Sequence, residues 1–230
     1  IKMEVQRSQK PNQSFLEGIR KICDEKGIVL IFDECTSGFR ESFGGIHKNY
    51  NVDPDIAIFA KAIANGYALS AVIGKESIMQ AAQDSFISST FWTERIGPVA
   101  ALKTLEIMEN LSSWEIVTNL GQQLKASWND LAKENGLDLV THSLDAIPGF
   151  TINCSNSLGA KTFITHEMLK KGILTGSNVY LSIKHSENID QYLNALSNVF
   201  YKLSQIIDDI DEYLIKYNIP CCHSHFKRLN

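Results

Sequence analysis

No apolar run in this 230-residue chain approaches the ~20 residues that span a bilayer, so none reads as a membrane-crossing helix. No secretory signal pattern opens it, and the cytoplasm is the expected compartment. A strong charge of either sign is also missing. The formal net charge is −4, which favours neither nucleic acid nor an anionic membrane. The five cysteines, Cys23, Cys35, Cys154, Cys221 and Cys222, are odd in number and irregular in spacing, so a disulfide framework is not expected. Metal-ligand spacing is wanting too. Cys221, Cys222, His223 and His225 cluster near the end, but no second pair sits at a finger-like distance. His47, His142, His166 and His185 stand alone and read as satisfied polar residues. Gly44-Gly45 lacks the strand–loop–helix context of a phosphate-binding fingerprint. No internal repeat or low-complexity tract is visible.

What is present is an ordinary globular composition, 44% hydrophobic and 21% charged. The length admits one large domain or two small ones. Ser14 to Lys26 has the spacing of an amphipathic helix, with Phe15, Ile19 and Ile22 on one face and Leu16 and Cys23 beside it. Gly27 is placed to end it. Ile28 to Phe32 is fully apolar, like a strand buried on both faces of a parallel sheet. "DIAIFAK" (Asp55 to Lys61) and "LSAVIGK" (Leu69 to Lys75) read as further strands. Glu94 to Asn110, with Pro98 in its first turns, and Glu115 to Asn135 read as helices. Beyond Gly136, "LDLVTHSLDAIPGFTINCS" and "VYLSIK" alternate like antiparallel strands, whereas "TFITHEMLKKG" and "NIDQYLNALSNVFYKLSQIIDDI" are helical in spacing. Met79, Met108 and Met168 read as core filler, and Lys170-Lys171 as a solvated helix end. This order predicts an α/β domain with a mainly parallel sheet, followed by a smaller α+β domain.

Two side chains stand out against this frame. In a parallel α/β sheet, ligands bind beyond the carboxyl ends of the strands. Asp33 follows the apolar run directly, and Lys61 follows the second strand. Each alone could be a cap or a solvated strand-end charge. Together, a lysine able to form a Schiff base and an aspartate able to pair with a pyridinium nitrogen are the pairing of pyridoxal phosphate enzymes.

"GIVLIFDECTSGFR", "VDPDIAIFAKAIANGYALSAVIGK" and "SSTFWTERIGPVAALKTLEIM" together resemble the class III, fold-type I aminotransferases. The nearest branch is the glutamate-1-semialdehyde aminomutase type, with its relatives that aminate keto-sugars. The resemblance runs from about Glu4 to about Asp208. It implies that residues 1–110 are the C-terminal part of a large cofactor-binding domain, 111–208 a small α+β domain, and 209–230 a tail. It implies that Lys61 holds pyridoxal 5′-phosphate as a Schiff base and, once released in a buried site, moves the substrate proton. Asp33 would pair with the ring nitrogen and keep it protonated. Cys35 would pack on a ring face, Thr36 would neighbour the ring hydroxyl, and Thr90 would reach the cofactor phosphate of a partner subunit. Glu4 would have a structural role at a strand end. The implied assembly is a homodimer with shared active sites, acting on a small-molecule amino donor and a keto or aldehyde acceptor.

The chain also departs from the family pattern. After Thr90, members usually continue with a small residue and then Gly-Asn-Pro, whereas this chain has Phe91, Trp92, Thr93, Glu94 and Arg95. "TGSNVYLS" lacks the gating glutamate of the aminomutase branch, which points to transamination, and the resemblance implies a keto-sugar among the acceptors. Members carry a long N-terminal half before the position of Glu4, including a glycine-serine phosphate loop, so the chain is expected to be a fragment. Two other readings stay open at this point: a racemase or isomerase on the same constellation, and an incomplete fragment that acts only by binding.

Overall fold

The computed structural model describes Met3 and residues 14–223 apart from Trp92 and Ser177. The expectations for Glu4, Trp92 and His225 therefore lie outside the described residues. The chain divides into two compact units, one reaching to Thr118 and the other beginning at Asn119, so that the division falls within a helix.

The first unit starts with α1 (Phe15–Lys26), which Gly27 closes in the left-handed conformation at φ 64°. The side chains that α1 buries are Leu16 and Cys23, with Ile19 partly buried between them. Phe15 and Ile22, expected on the core face, are exposed. The i, i+3, i+7 stripe thus wins over the neighbouring one. Three strands follow: β1 (Ile31–Glu34), β2 (Ile56–Phe59) and β3 (Ala71–Gly74). β1 is shifted from the expected Ile28–Phe32 so that it includes Asp33 and Glu34, and with Ile28, Val29 and Ile31 exposed the apolar run is not buried on both faces. The sheet order is β1-β2-β3, with β1 parallel to β2 and β3 antiparallel to it. β3 returns antiparallel because the link from Phe59 to Ala71 carries only a 3-10 turn, Lys61–Ala64. A parallel crossover needs about a dozen residues or more, usually with a helix. A short α2 (Glu76–Met79) and the long α3 (Ile96–Leu111) complete the unit, and α4 (Ser113–Glu134) leads out of it.

Asp55 ties these pieces together. Its Oδ2 accepts from the backbone N–H of Leu30 at 2.8 Å and from Arg20 Nη1 of α1 at 3.0 Å. Its Oδ1 accepts from Lys75 Nζ, just past β3, at 2.8 Å. A carboxylate that is buried and fed by two cations and an N–H is held ionised. Burial opposes the charge, but Lys75, the Leu30 N–H and Arg20 outweigh it and pull the Asp55 pKa down to about 2.

In the second unit, β4 (Leu139–His142) and β5 (Gly149–Ile152) form an antiparallel pair. α5 (Ser157–Lys170) packs against α6 (Ile189–Ser204) and α7 (Ile210–Lys216). Asn156 caps α5, its Oδ1 accepting from Gly159 N at 2.7 Å. Leu196, Val199, Phe200 and Leu203 are all buried, the stripe that helical spacing places on one face of α6. Their neighbour Phe150 meets the rings of Trp128 and Phe200 edge-on, with centroids 4.9 and 5.8 Å away. "VYLSIK", expected as a strand, is extended and paired only in its first half: Val179 N donates to Pro148 O at 2.9 Å and Leu181 N to Ala146 O at 3.2 Å, next to an isolated antiparallel bridge between Gly149 and Asn178. Ser182 and His185 form a capping box that starts a 3-10 turn over Ile183–Glu187. The local hydrogen bonds of that box end the extended stretch at Ser182. The segment from Asp209, expected as a tail, includes α7, which buries Ile210 and Leu214. Farther on, Cys222 N donates to Thr162 Oγ1 of α5 at 2.9 Å. Among the described residues no helix is long and apolar enough to cross a membrane, and no group of three His, Cys, Asp or Glu could hold a metal ion.

Candidate active site

The site forms where β1 and β2 end side by side. Their parallel register pairs Asp33 with Ile58 and Glu34 with Phe59. Lys61 follows two residues after Phe59, so the carboxylate and the amine emerge at adjacent strand ends. The chain turns sharply there. Lys61 is in the left-handed region at φ 52°, a conformation that costs a non-glycine residue about 1 kcal/mol. Its amine donates to Thr36 Oγ1 at 2.5 Å. Thr36 itself is buried, and its carbonyl accepts from Arg40 Nε at 2.7 Å.

Asp33 Oδ1 accepts from Cys35 N at 3.1 Å, so it caps the turn that follows β1. Burial, then the hydrogen bond to Asp33 and the charge of that carboxylate, push the Cys35 thiol up, and the charge of Lys61 pulls the other way. The Cys35 thiol is therefore neutral at pH 7. Asp33, Cys35, Thr36 and Lys61 thus form one cluster. Lys61 is exposed rather than buried, because it stands past the last residue of β2 at the open end of the sheet. Thr90 is not drawn to that amine. It is exposed in the connection into α3.

Glu34, one residue beyond Asp33, was not singled out from sequence. It points the other way and is fully buried at 0% exposure. Its Oε2 accepts from Ser37 Oγ at 2.5 Å and Ile46 N at 3.1 Å. Its Oε1 faces His47 N at 3.1 Å and His47 Nδ1 at 2.9 Å. Strand alternation explains the split: successive side chains leave a strand on opposite faces. The opening of this loop therefore has two carboxylates with different tasks, one at the site and one inside the fold. The adjacent Asp-Glu was the available signal. The partner His47, far along the chain, was not visible as one.

The donor set of the cluster is one amine, one carboxylate, one hydroxyl and one neutral thiol. An amine exposed at a strand end can bond an aldehyde, a carboxylate can hold a proton on a ring nitrogen, and a hydroxyl can meet a ring oxygen. These residues fit pyridoxal phosphate.

The chain belongs to the class III aminotransferases, whose family model matches residues 8–200. It is 42% identical over 130 residues to a 3-aminobutyryl-CoA aminotransferase of Cloacimonas acidaminovorans, covering 56% of this chain and 31% of that protein. It is 32% identical over 213 residues to a glutamate-1-semialdehyde 2,1-aminomutase of Nitrosopumilus maritimus, covering 82% of this chain and 50% of that protein. Among solved structures it is similar to the FumI protein of Sphingopyxis sp. MTA144 in its PLP internal aldimine form. That likeness has a TM-score of 0.81 at 26% identity over 88% of this chain and 50% of the other. An omega-transaminase of Sphaerobacter thermophilus shares the fold, with a TM-score of 0.75 at 21% identity, over 86% of this chain and 49% of the other. The fold is accordingly that of the fold-type I pyridoxal phosphate transaminases. The chain spans about half or less of the length of the relatives it matches.

Proposed function

We propose that this chain supplies the lysine-bearing half of a pyridoxal-phosphate-dependent aminotransferase, which moves an amino group from an amino acid to a keto or aldehyde acceptor. The observation that carries this reading is the cluster at the paired ends of β1 and β2, where Asp33 and the Lys61–Thr36 contact of 2.5 Å meet. The first compact unit would be the C-terminal part of the large cofactor domain, and the second the small C-terminal domain.

Lys61 would hold the cofactor covalently through Nζ, Asp33 would hold a proton on the ring nitrogen, and Cys35 and Thr36 would flank the ring. When bound, pyridoxal phosphate supplies an electron sink for the charge left on the substrate carbon. Lys61 Nζ, when not bonded to the cofactor, takes and returns the proton at that carbon. The Thr36 hydroxyl gives this amine a fixed resting place between transfers. The neutral Cys35 thiol offers packing without a competing charge next to Asp33. Thr90, exposed on its loop, suits a contact to the phosphate held in a second copy. Phe91 at 77% exposure, with Phe86, Val99 and Leu102 also exposed, supports a homodimer.

An aminomutase of the glutamate-1-semialdehyde type is the second reading, favoured by the 32% identity over 82% of the chain. The stretch Thr175 to Ser182 has no glutamate, which favours the transaminase. A keto-sugar acceptor is the finer proposal within it.

The test is the visible absorbance of the purified chain with added pyridoxal phosphate, alone and as Lys61→Ala. A band that appears with the native chain and is lost in the variant supports the reading. A band of equal strength in Lys61→Ala overturns it. In any longer protein that carries this chain, Lys61→Ala abolishes steady-state transamination. Conversion of the amine-loaded form back by an added keto acid distinguishes transaminase from aminomutase.

A further inference from the structure

The residues that touch the cofactor in this reading do not hold themselves in place. Thr36 sits in the loop 35–46, and the centre of that loop's support is Glu34. Among the described residues, the donors to the Glu34 carboxylate come from this loop and from His47 at its end. Ser37 Oγ reaches Oε2 at 2.5 Å, Ile46 N reaches Oε2 at 3.1 Å, and His47 meets Oε1 through N at 3.1 Å and through Nδ1 at 2.9 Å. Both ends of the loop are thereby clamped to one buried side chain. Gly38 N donates to Glu34 O at 2.8 Å and Phe39 N to Gly44 O at 2.7 Å, closing the turn between the two ends.

A buried carboxylate with four donors is expensive to disturb. His47 is itself buried at 7% exposure, its ring beside that of Phe32 at 5.8 Å between centroids. Gly45 allows this approach. A Cβ there would lie 2.2 Å from His47 Nδ1 and 2.9 Å from Glu34 Oε1. Within the loop that this arrangement supports, the Thr36 hydroxyl accepts from Lys61 Nζ at 2.5 Å.

We propose that Glu34 and His47 are positioning residues of this site: their buried hydrogen-bonded pair sets the 35–46 loop so that the Thr36 hydroxyl holds Lys61 Nζ. The proposal rests on the reading of Lys61 as the cofactor lysine, but its first test does not need the cofactor. Asn can place a donor where His47 Nδ1 stands, whereas Leu cannot. His47→Leu therefore loosens the loop and frees the amine, and His47→Asn restores it.

The experiment is competitive acylation of the chain with trace acetic anhydride, followed by mass spectrometry of the Lys61 peptide against the Lys103 peptide. Lys61 in His47→Leu is expected to label about fivefold faster than in the native chain, the factor one ordinary hydrogen bond is worth. His47→Asn is expected to label at the native rate. Ser37→Ala, which removes one donor to Glu34 with a smaller change of volume, is expected to give about a twofold rise and serves if His47→Leu does not fold. Equal Lys61 labelling in the native chain and in whichever of these two variants folds overturns the proposal. So does fast labelling in His47→Asn, which shows that the ring's bulk and not its donor matters. The visible band with pyridoxal phosphate is then compared. A band that shifts or weakens in His47→Leu and recovers in His47→Asn supports the positioning role. If the native half-chain shows no band, the acylation result alone judges the loop.

Discussion

Acidification tests the Asp55 junction, because its electrostatics are specific enough to give a number. The Asp55 carboxyl titrates at about 2 in the fold against 3.8 for the unperturbed group. A depressed value means that the anion is favoured by folding, so the stabilisation is complete above the unfolded value and is lost as pH falls through the folded one. The shift of about 1.8 units is worth about 2.4 kcal/mol at roughly 1.36 kcal/mol per unit. The side chain is only 9% exposed, so solvent screening removes little of it. Asp55→Asn keeps the shape but leaves Arg20 and Lys75 facing a neutral amide. Urea unfolding of the native chain and of this variant, at steps from pH 7 to pH 2, measures the difference directly. The native advantage should be flat from pH 7 to about pH 5 and should shrink by about 2 kcal/mol by pH 2. An advantage that is unchanged at pH 2 would refute the argument. So would one that vanishes already near pH 5.

Three further outcomes follow from contacts described above. Gly45→Ala should lower the unfolding free energy by about 1–3 kcal/mol, since its Cβ meets the His47 ring at 2.2 Å; a melting curve like the native one would contradict this. Burial above all pushes the Tyr192 phenol up to about 12, against the bonds to Trp128 and Thr175 that lower it. A raised value keeps the folded tyrosine protonated while the unfolded one ionises, so stability should be full below pH 10 and decline as pH rises from about 10 to 12; ultraviolet titration of phenolate in Tyr192→Phe against the native chain checks it. Glu167→Gln should cost about 1–3 kcal/mol, because the buried carboxylate is bonded to Lys170 and, at 2.8 Å, to Lys202; a denaturation midpoint unchanged within error would count against it.

The helices were the most legible part of the sequence. α1, α4 and α6 repeat apolar residues long enough for the period to show, and glycine marks the end of α1, whereas α5 buries residues on all sides and shows no such stripe. Asp33 and Lys61 were legible because each directly follows an apolar run, although β1 begins only at Ile31 and takes in Asp33 itself. What escaped was decided by partners distant in sequence. Glu34 and His47 are separated by a loop whose closure no local spacing announces. "VYLSIK" alternates like a strand and pairs as one through Leu181, but Ser182 and His185 then bond each other and turn the backbone. β3 lies where it was expected but in the opposite sense from β1 and β2, a matter of how short its connection is. Phe15 and Ile22 made a plausible core face until Leu30, Phe32 and Val52 took Leu16 and Cys23 instead.

The left-handed backbone of Lys61, at φ 52°, puts heredity and folding at odds. On the reading proposed here the position must be lysine, yet glycine accepts that geometry at no steric cost. Lys61→Gly should therefore fold at least as well as the native chain while losing the amine. A copy of this gene freed from selection for activity would have a downhill route at this codon. Among sequences descended from it, glycine or asparagine at 61 would be an early mark of lost catalysis, appearing before any sign of a failing fold.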